Sequence, residues 1–189
     1  MDILEYKEEI VKLDTKPDKL DIIYATLGLC GEASEVTEKY QNYTRGNQIK
    51  VVDEVTRESI AKELGDVLWY MTRILHILGA NIDKDLQHPV FPVLTDPSLV
   101  AFNLQMKAGQ VAEIVKKSIR ENALSTNGNV IVMKPDEAMI IDKINTMITM
   151  LQVLSSGITL SLSEVAKINL EKIKSRTKRG VLSGRGDNR

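Results

Sequence analysis

Two pairs of acidic residues at helical spacing are the strongest chemical feature of this sequence. Glu32 and Glu35 lie in the segment LGLCGEASEV, and Glu63 and Asp66 lie in IAKELGDVLWY. Because residues three positions apart share one face of a helix, each pair would direct two carboxylates at the same place. Four converging carboxylates would repel one another unless a cation lay among them, and hard oxygen ligands suit Mg²⁺ or Mn²⁺. The sequence therefore predicts a magnesium site between two helices.

Composition limits the kind of protein that could carry such a site. A chain of 189 residues, 43% of them hydrophobic, is long enough for one good core or for two small helical units. A formal net charge of −1 argues against a surface devoted to nucleic acid, and no apolar stretch approaches the roughly 20 residues that span a membrane. Cys30 has no second cysteine to pair with, and the N-terminus lacks the apolar region of a signal peptide. We therefore expect a cytoplasmic protein without nucleic-acid or membrane partners.

Helical periodicity dominates the chain, and strand-like alternation is scarce. The prolines of the segment 87–97 interrupt any helix and mark the clearest internal boundary. The run Val130 to Met133 is the one stretch that could form a short strand. The pattern predicts helices over about 2–14, 18–43, 53–78, 98–123, 136–156 and 161–178.

Glycines lie next to the acids of both pairs, although glycine inside a helix costs about 1 kcal/mol relative to alanine. Gly31 precedes Glu32, and Gly65 precedes Asp66. Close approach of the two helices, or of a ligand, would explain this cost.

A weak internal repeat links the two sides of the proline-rich segment. GEASEVTEK, residues 31–39, resembles GQVAEIVKK, residues 109–117, and a further match follows when the offset grows by one residue. The four acids and their counterparts are Glu32 and Gln110, Glu35 and Glu113, Glu63 and Asp142, and Asp66 and Asn145. The match favours a duplication whose second half has lost two of its acids; chance similarity between amphipathic helices is the alternative.

The acidic segments resemble a known group of enzymes. LGLCGEASEVTEK followed by IAKELGDVLWYMTRI is similar to the all-α nucleoside triphosphate pyrophosphohydrolases, the MazG-like and dimeric dUTPase group. Their signature is an ExxE pair and an ExxD pair on neighbouring helices. The C-terminal INLEKIKSR also fits, because MazG-like proteins commonly end their fold with a helix of NxxKxxxR character. The resemblance covers roughly residues 20–86 and 154–189.

The resemblance implies an all-α fold, an antiparallel helical bundle of the MazG-like type. Together with the repeat, it predicts a tandem of one intact and one degenerate helical unit, the second packed on the first. In this family the bundle is commonly completed by dimerisation, so we expect a homodimer. The predicted parts are a metal-binding unit at 1–86, a Pro-rich connector at 87–97, a degenerate unit at 98–178 and a basic tail at 179–189.

The implied reaction converts a nucleoside triphosphate to its monophosphate and pyrophosphate, through attack of a metal-activated water on the α-phosphate. The expected cofactor is Mg²⁺, with Mn²⁺ as a substitute, and the expected metal ligands are Glu32, Glu35, Glu63 and Asp66. Resemblance to the family assigns proton acceptance to Glu35, with Glu38 as a second candidate. The predicted substrate contacts are Lys39, Tyr70, Asn169, Lys172, Arg176, Arg179 and Arg189.

Other interpretations stay open at this point. Lys39 could be a helical i,i+4 partner of Glu35, and Tyr70 could pack in the core. A catalytically silent nucleotide-binding, regulatory or assembly protein would have the same fold. A di-iron carboxylate bundle is disfavoured, because neither His76 nor His88 follows a glutamate by three residues. The preferred base and sugar cannot be read from the sequence.

Overall fold

The computed structural model describes residues 3–13, 21–45, 52–80, 96–121 and 132–180, and within these ranges it contains six helices and no strand. The predicted all-α fold is therefore confirmed, and Val132 and Met133 lie outside any strand. Val130, Ile131 and the tail from residue 181 onwards lie outside the described residues. The helices are α1 (Ile3–Leu13), α2 (Asp21–Arg45), α3 (Glu54–Ile77), α4 (Pro97–Arg120), α5 (Lys134–Gly157) and α6 (Leu162–Lys178).

Local sequence signals define the limits of α3 and α6, the helices that carry much of the site. The Asp53 carboxylate accepts a hydrogen bond of 2.8 Å from the backbone N–H of Thr56, which satisfies a donor that the first turn of α3 would leave unpaired. Gly79 follows α3 with a φ of 64°, a conformation that glycine adopts without steric cost. Ser161 and Glu164 form a reciprocal capping box at the start of α6.

Helices α2 to α5 form a bundle in which neighbouring helices run antiparallel around α2. The helix α2 packs against both α3 and α4, α4 packs against α5, and α3 contacts α5. Cys30 of α2 contacts the carbonyl of Ala108 on α4, and seven residues later Thr37 donates to the carbonyl of Ala101, so the two helices run in opposite directions.

The core is one continuous cluster that receives apolar side chains from all six helices. It is built mainly from leucine, isoleucine, valine, methionine and alanine, as the low aromatic content requires. Two tyrosines, Tyr6 and Tyr40, are nevertheless fully buried. The Tyr40 hydroxyl donates to the Leu154 carbonyl at 2.7 Å and thereby links α2 to α5. This acceptor matters because a buried tyrosine hydroxyl without a partner would be costly.

The packing of the helices can be compared with the predicted repeat. The helices α2 and α3 would form one hairpin of the repeat, and α4 and α5 the other. A two-fold axis between the hairpins would bring α2 against α4 and α3 against α5, and both contacts are present. The helix α6 lies in the predicted second unit, yet it packs chiefly on α3 and α1 of the first. The duplication and its unit boundaries stay predictions.

No single helix among the described residues has both the length and the apolar composition required to cross a membrane. Helices α5 and α6 meet these criteria only together, as a pair bent by 93°.

Gly65 explains how α6 comes close to α3. A Cβ atom at this position would lie 2.7 Å from the Cβ of Asn169 and 3.0 Å from its Nδ2, closer than real Cβ contacts. The predicted close approach was between the two helices that carry the acids, whereas the neighbour at Gly65 is α6. At Gly31, no atom of the described residues lies within 4 Å of the same point, so helix packing does not account for that glycine.

We predict opposite effects for two glycine-to-alanine substitutions. Gly65→Ala should lower the free energy of unfolding by about 1–3 kcal/mol, because the new methyl group overpacks the contact with Asn169. Gly31→Ala should raise it by up to about 1 kcal/mol, because alanine is the better helix former and the space is open. Urea unfolding followed by circular dichroism measures both; equal effects would contradict the assigned role of Gly65.

Candidate metal centre

Three of the four predicted metal ligands converge between α2 and α3. One carboxylate oxygen from each of Glu32, Glu63 and Asp66 lies within 4.8 Å of the other two. Glu63 is only 2% exposed, whereas Glu32 and Asp66 are partly exposed. The fourth predicted ligand, Glu35, is exposed and lies outside this group. We call Glu32, Glu63 and Asp66 the acidic triad.

Two lysines on different helices pair with acids of the triad. Lys39 of α2 places its Nζ 3.5 Å from Oε1 of Glu63 and therefore forms an ion pair with α3. It also lies four residues after Glu35 on its own helix. Lys172 of α6 donates a hydrogen bond to Oδ2 of Asp66, and its side chain is only 11% exposed. Both lysines were predicted to contact substrate, and the structure brings both to the acids.

The third acid, Glu32, has a strongly perturbed ionisation. Burial, together with the negative charges of Asp66, Glu35 and Glu63, raises the pKa of Glu32 to about 8, and Lys172 opposes this shift. The increase has a direct physical cause, because a like charge nearby and the loss of water both disfavour the carboxylate. Without a bound cation, Glu32 therefore keeps its proton at neutral pH.

The donor set of the triad fits a hard divalent cation. All three side chains offer carboxylate oxygens, the ligands that Mg²⁺, Mn²⁺ and Ca²⁺ prefer. Two ammonium groups stand against three carboxylates, so the ionised cluster has one excess negative charge. A divalent cation would relieve the repulsion that raises the pKa of Glu32 and would take the place of its proton.

A buried chain of two hydrogen bonds ends at the carboxylate of Asp66. The Nδ2 of Asn169 donates to Oδ1 of Asp66 at 2.7 Å, and the Tyr6 hydroxyl donates to Oδ1 of Asn169 at 2.6 Å. Asn169 was predicted to touch the sugar or base of a nucleotide. Its side chain is 0% exposed, however, so it faces the acid instead of a surface that a substrate could reach.

An aromatic wall lies beside the triad. The ring of Tyr70 covers Gly28, where a Cβ atom would lie 2.1 Å from the ring. Tyr70 packs edge-on against Trp69, with 4.6 Å between ring centroids, and lies 6.2 Å from the ring of Tyr24. The buried guanidinium of Arg73 lies 5.4 Å from the centroid of Tyr24 and 5.3 Å from that of Trp69, within cation–π range. Tyr24 is 45% exposed and gives this wall its accessible face.

The remaining predicted site residues are Glu38 and three arginines. Glu38 is exposed on α2. Arg176 is largely buried, one helical turn after Lys172. Arg179 is exposed at the end of α6, where its Nε donates to the Ser175 carbonyl at 3.4 Å. Arg189 lies beyond the described residues.

Several residues around the site were missed by sequence reasoning. Gly28 lies one helical turn before Glu32, so a second glycine on α2, besides Gly31, was a signal that could have been used. Tyr6 lies four residues before Ile10 on the apolar face of α1, which could have indicated its burial. Tyr24 and Arg73 gave no signal of their own, because their contact depends on how α2 packs against α3.

Comparison with known proteins gives little further information. No model of a known protein family matches the chain, and no solved structure matches it. A segment of 55 residues is 36% identical to part of the gene 37 protein of Mycobacterium phage L5. The matched segment is 29% of this chain and 47% of that protein, so the chain spans about half of that relative's length.

The perturbed ionisation of Glu32 predicts how the stability of the metal-free protein depends on pH. The folded protein keeps the Glu32 proton up to a pH of about 8, whereas the unfolded chain loses it near the ordinary value of 4.5. Because the folded state binds more protons in this interval, this contribution to stability is complete below pH 4.5 and is lost as pH rises towards 8. In EDTA, the melting temperature should therefore fall between about pH 5 and 8.

A matched pair of variants isolates this effect. Glu32→Gln should flatten the pH dependence and melt higher than the wild type at about pH 8 in EDTA, because it has no proton to lose. Glu113→Gln changes an exposed acid in the matching segment of the second half. It should keep the wild-type dependence of melting temperature on pH, since Lys116 lowers the pKa of Glu113. An unchanged slope in Glu32→Gln would show that another group causes the dependence.

Proposed function

We propose that this protein is a Mg²⁺-dependent nucleoside triphosphate pyrophosphohydrolase. The observation that carries the proposal is the convergence of the acidic triad within 4.8 Å, between two antiparallel helices and beside Lys39 and Lys172. Carboxylates arranged in this way can hold a divalent cation, and ammonium groups at their edge can bind the phosphates that such a cation neutralises. The resemblance of the two acidic segments to the MazG-like group supports the same reaction.

Glu32, Glu63 and Asp66 would hold the Mg²⁺ ion. When bound there, the ion would supply positive charge to the phosphoryl oxygens and would acidify the attacking water. Mn²⁺ would substitute, because it accepts the same oxygen donors. Glu63 and Asp66 already have ammonium partners, so a divalent cation that replaces the Glu32 proton changes the net charge of the triad and its two lysines from zero to one positive charge. This excess would favour a polyphosphate substrate.

The two lysines would bind the phosphate chain. Lys39 is partly exposed and lies at the solvent side of Glu63, so its ammonium group could turn from the acid to a phosphate oxygen. Lys172 is nearly enclosed and would contribute fixed positive charge next to Asp66. Arg176 follows on the same helix and Arg179 directly after its end, and both remain proposed phosphate contacts, together with Arg189 of the tail.

Glu35 would accept the proton of the attacking water. It is exposed, lies one helical turn after Glu32 and is close enough to influence the ionisation of Glu32. The water oxygen would bond to the α-phosphorus while the bond from that phosphorus to the α,β-bridging oxygen breaks. The electron pair of the broken bond stays with pyrophosphate, and the monophosphate keeps the new oxygen. Glu38, one turn further from the triad, is the second candidate for the base.

The aromatic wall would bind the nucleoside. Tyr24 and Tyr70 offer ring faces next to the acids, and a base or sugar could pack on them while the triphosphate reaches the triad. We also propose that the chain has the MazG-like type of bundle and forms a homodimer. Leu99, Phe102 and Met106, which are 47%, 51% and 51% exposed, line one face of α4 and supply an apolar surface for such contacts.

The proposal predicts metal-dependent release of pyrophosphate. With Mg²⁺ present, the protein should convert at least one ribo- or deoxyribonucleoside triphosphate to its monophosphate, detected by ion-exchange chromatography over a panel of bases. Asp66→Asn and Glu63→Gln should each lower kcat/KM by about 100-fold or more, because each removes a ligand charge needed to stabilise the transition state.

Asp142→Asn and Glu113→Gln provide the matched controls. They make the same chemical changes at the counterparts of Glu63 and Glu35 in the second half, where both acids are exposed and paired with neighbouring lysines. Both should keep wild-type activity. Nucleotide binding without turnover of any triphosphate would instead support a silent binding or regulatory protein.

A further inference from the structure

We propose that Asn169 and Tyr6 form a positioning relay that orients Asp66 for binding of the divalent cation. The relay runs from α1 through α6 to α3, and its three side chains are joined by hydrogen bonds of 2.6 Å and 2.7 Å. It rests on the proposed function, because it acts on a ligand of the proposed metal site. It assigns Asn169 to the support of an acid and not to contact with the nucleotide.

The direction of each hydrogen bond in the relay is fixed by chemistry. An ionised Asp66 can only accept, so the Asn169 group facing it must be the amide N–H₂. This leaves the amide oxygen of Asn169 towards Tyr6, whose hydroxyl must then be the donor. Turning the amide over would put its oxygen against the carboxylate and its N–H₂ against the phenol. The carboxylate of Asp66 therefore selects one of the two amide orientations, and the hydroxyl of Tyr6 satisfies the amide oxygen that this orientation leaves buried.

Burial makes the relay rigid. Tyr6 and Asn169 are both 0% exposed, so water does not compete for their hydrogen bonds. The missing side chain of Gly65 allows Asn169 to approach α3 to within contact distance of the backbone next to Asp66. Burial and the charge of Asp66 also raise the pKa of Tyr6 well above its ordinary value, which keeps its hydroxyl proton available.

The relay leaves the carboxylate of Asp66 with a defined orientation towards the triad. Asn169 holds Oδ1 and Lys172 holds Oδ2, so rotation of the carboxylate would break both contacts. The remaining lone pairs can then serve a cation shared with Glu32 and Glu63. Partners of this kind hold ligands in place before the metal arrives, and their removal weakens metal binding by about 10–100-fold.

The test is the affinity of the full chain for Mn²⁺, measured from the electron paramagnetic resonance signal of the free ion. Asn169→Ala and Tyr6→Phe should each weaken Mn²⁺ binding, by about 10–100-fold for Asn169→Ala and by about tenfold for Tyr6→Phe. The double variant should bind no more weakly than Asn169→Ala alone, because Tyr6 acts only through Asn169. Additive losses in the double variant would overturn the relay.

Tyr40→Phe is the matched control. Tyr40 is also fully buried and also donates one hydrogen bond, of 2.7 Å, but to the Leu154 carbonyl. Its loss should leave Mn²⁺ affinity within about twofold of wild type, so an equal loss in both phenylalanine variants would overturn the relay. Circular dichroism checks the folding of every variant, and Asn169→Ala alone keeps the test decisive should Tyr6→Phe not fold.

Failure of the relay and failure of the proposed function give different results. Wild-type affinity for Mn²⁺ in both Asn169→Ala and Tyr6→Phe would overturn the relay and leave the metal site intact. A wild-type protein that binds no Mn²⁺ would overturn the metal site, and with it both the relay and the proposed function.

Discussion

The repulsion among three carboxylates held between α2 and α3 is the constraint on which the rest of the structure depends. Glu32, Glu63 and Asp66 are too close, and Glu63 is too deeply buried, for all three to be ionised without compensation. Two ammonium groups and a retained proton compensate them in the metal-free protein. A divalent cation in place of the proton would leave one excess positive charge, which connects the electrostatics of the fold to its proposed chemistry.

The helices around the triad are arranged so that this compensation is available. The capping box fixes the start of α6, and Gly65 allows that helix to approach α3, which brings Lys172 to Asp66. The helix α1 contributes the buried hydroxyl of Tyr6 at the far end of the same network. The aliphatic core of the bundle supplies the rigidity, since close-packed side chains allow little relative movement of α2 and α3. The acids are therefore held together by packing that is independent of their own charge.

Much of the fold follows from periodicity, but the geometry of the site follows only in part. The helix limits and the spacing of the acids are local properties, and the structure confirms the predicted helices and brings three of the four acids together. Glu35 shows where local reasoning fails: a shared helical face is broad, and the rotation of α2 against α3 turns Glu32 inward while Glu35 stays exposed. The partners of Asn169 are distant in sequence: Asp66 is 103 positions away and Tyr6 is 163 positions away. No local pattern specifies such contacts.

The central claim is that Glu32, Glu63 and Asp66 bind a divalent cation. Its most direct test is a crystal structure of the full chain grown with Mn²⁺, with diffraction data collected at the manganese absorption edge. The account predicts an anomalous difference peak among these three carboxylates, within coordination distance of an oxygen of each. A fully occupied crystal with no peak there, or with its strongest peak at another group of residues, would contradict the account.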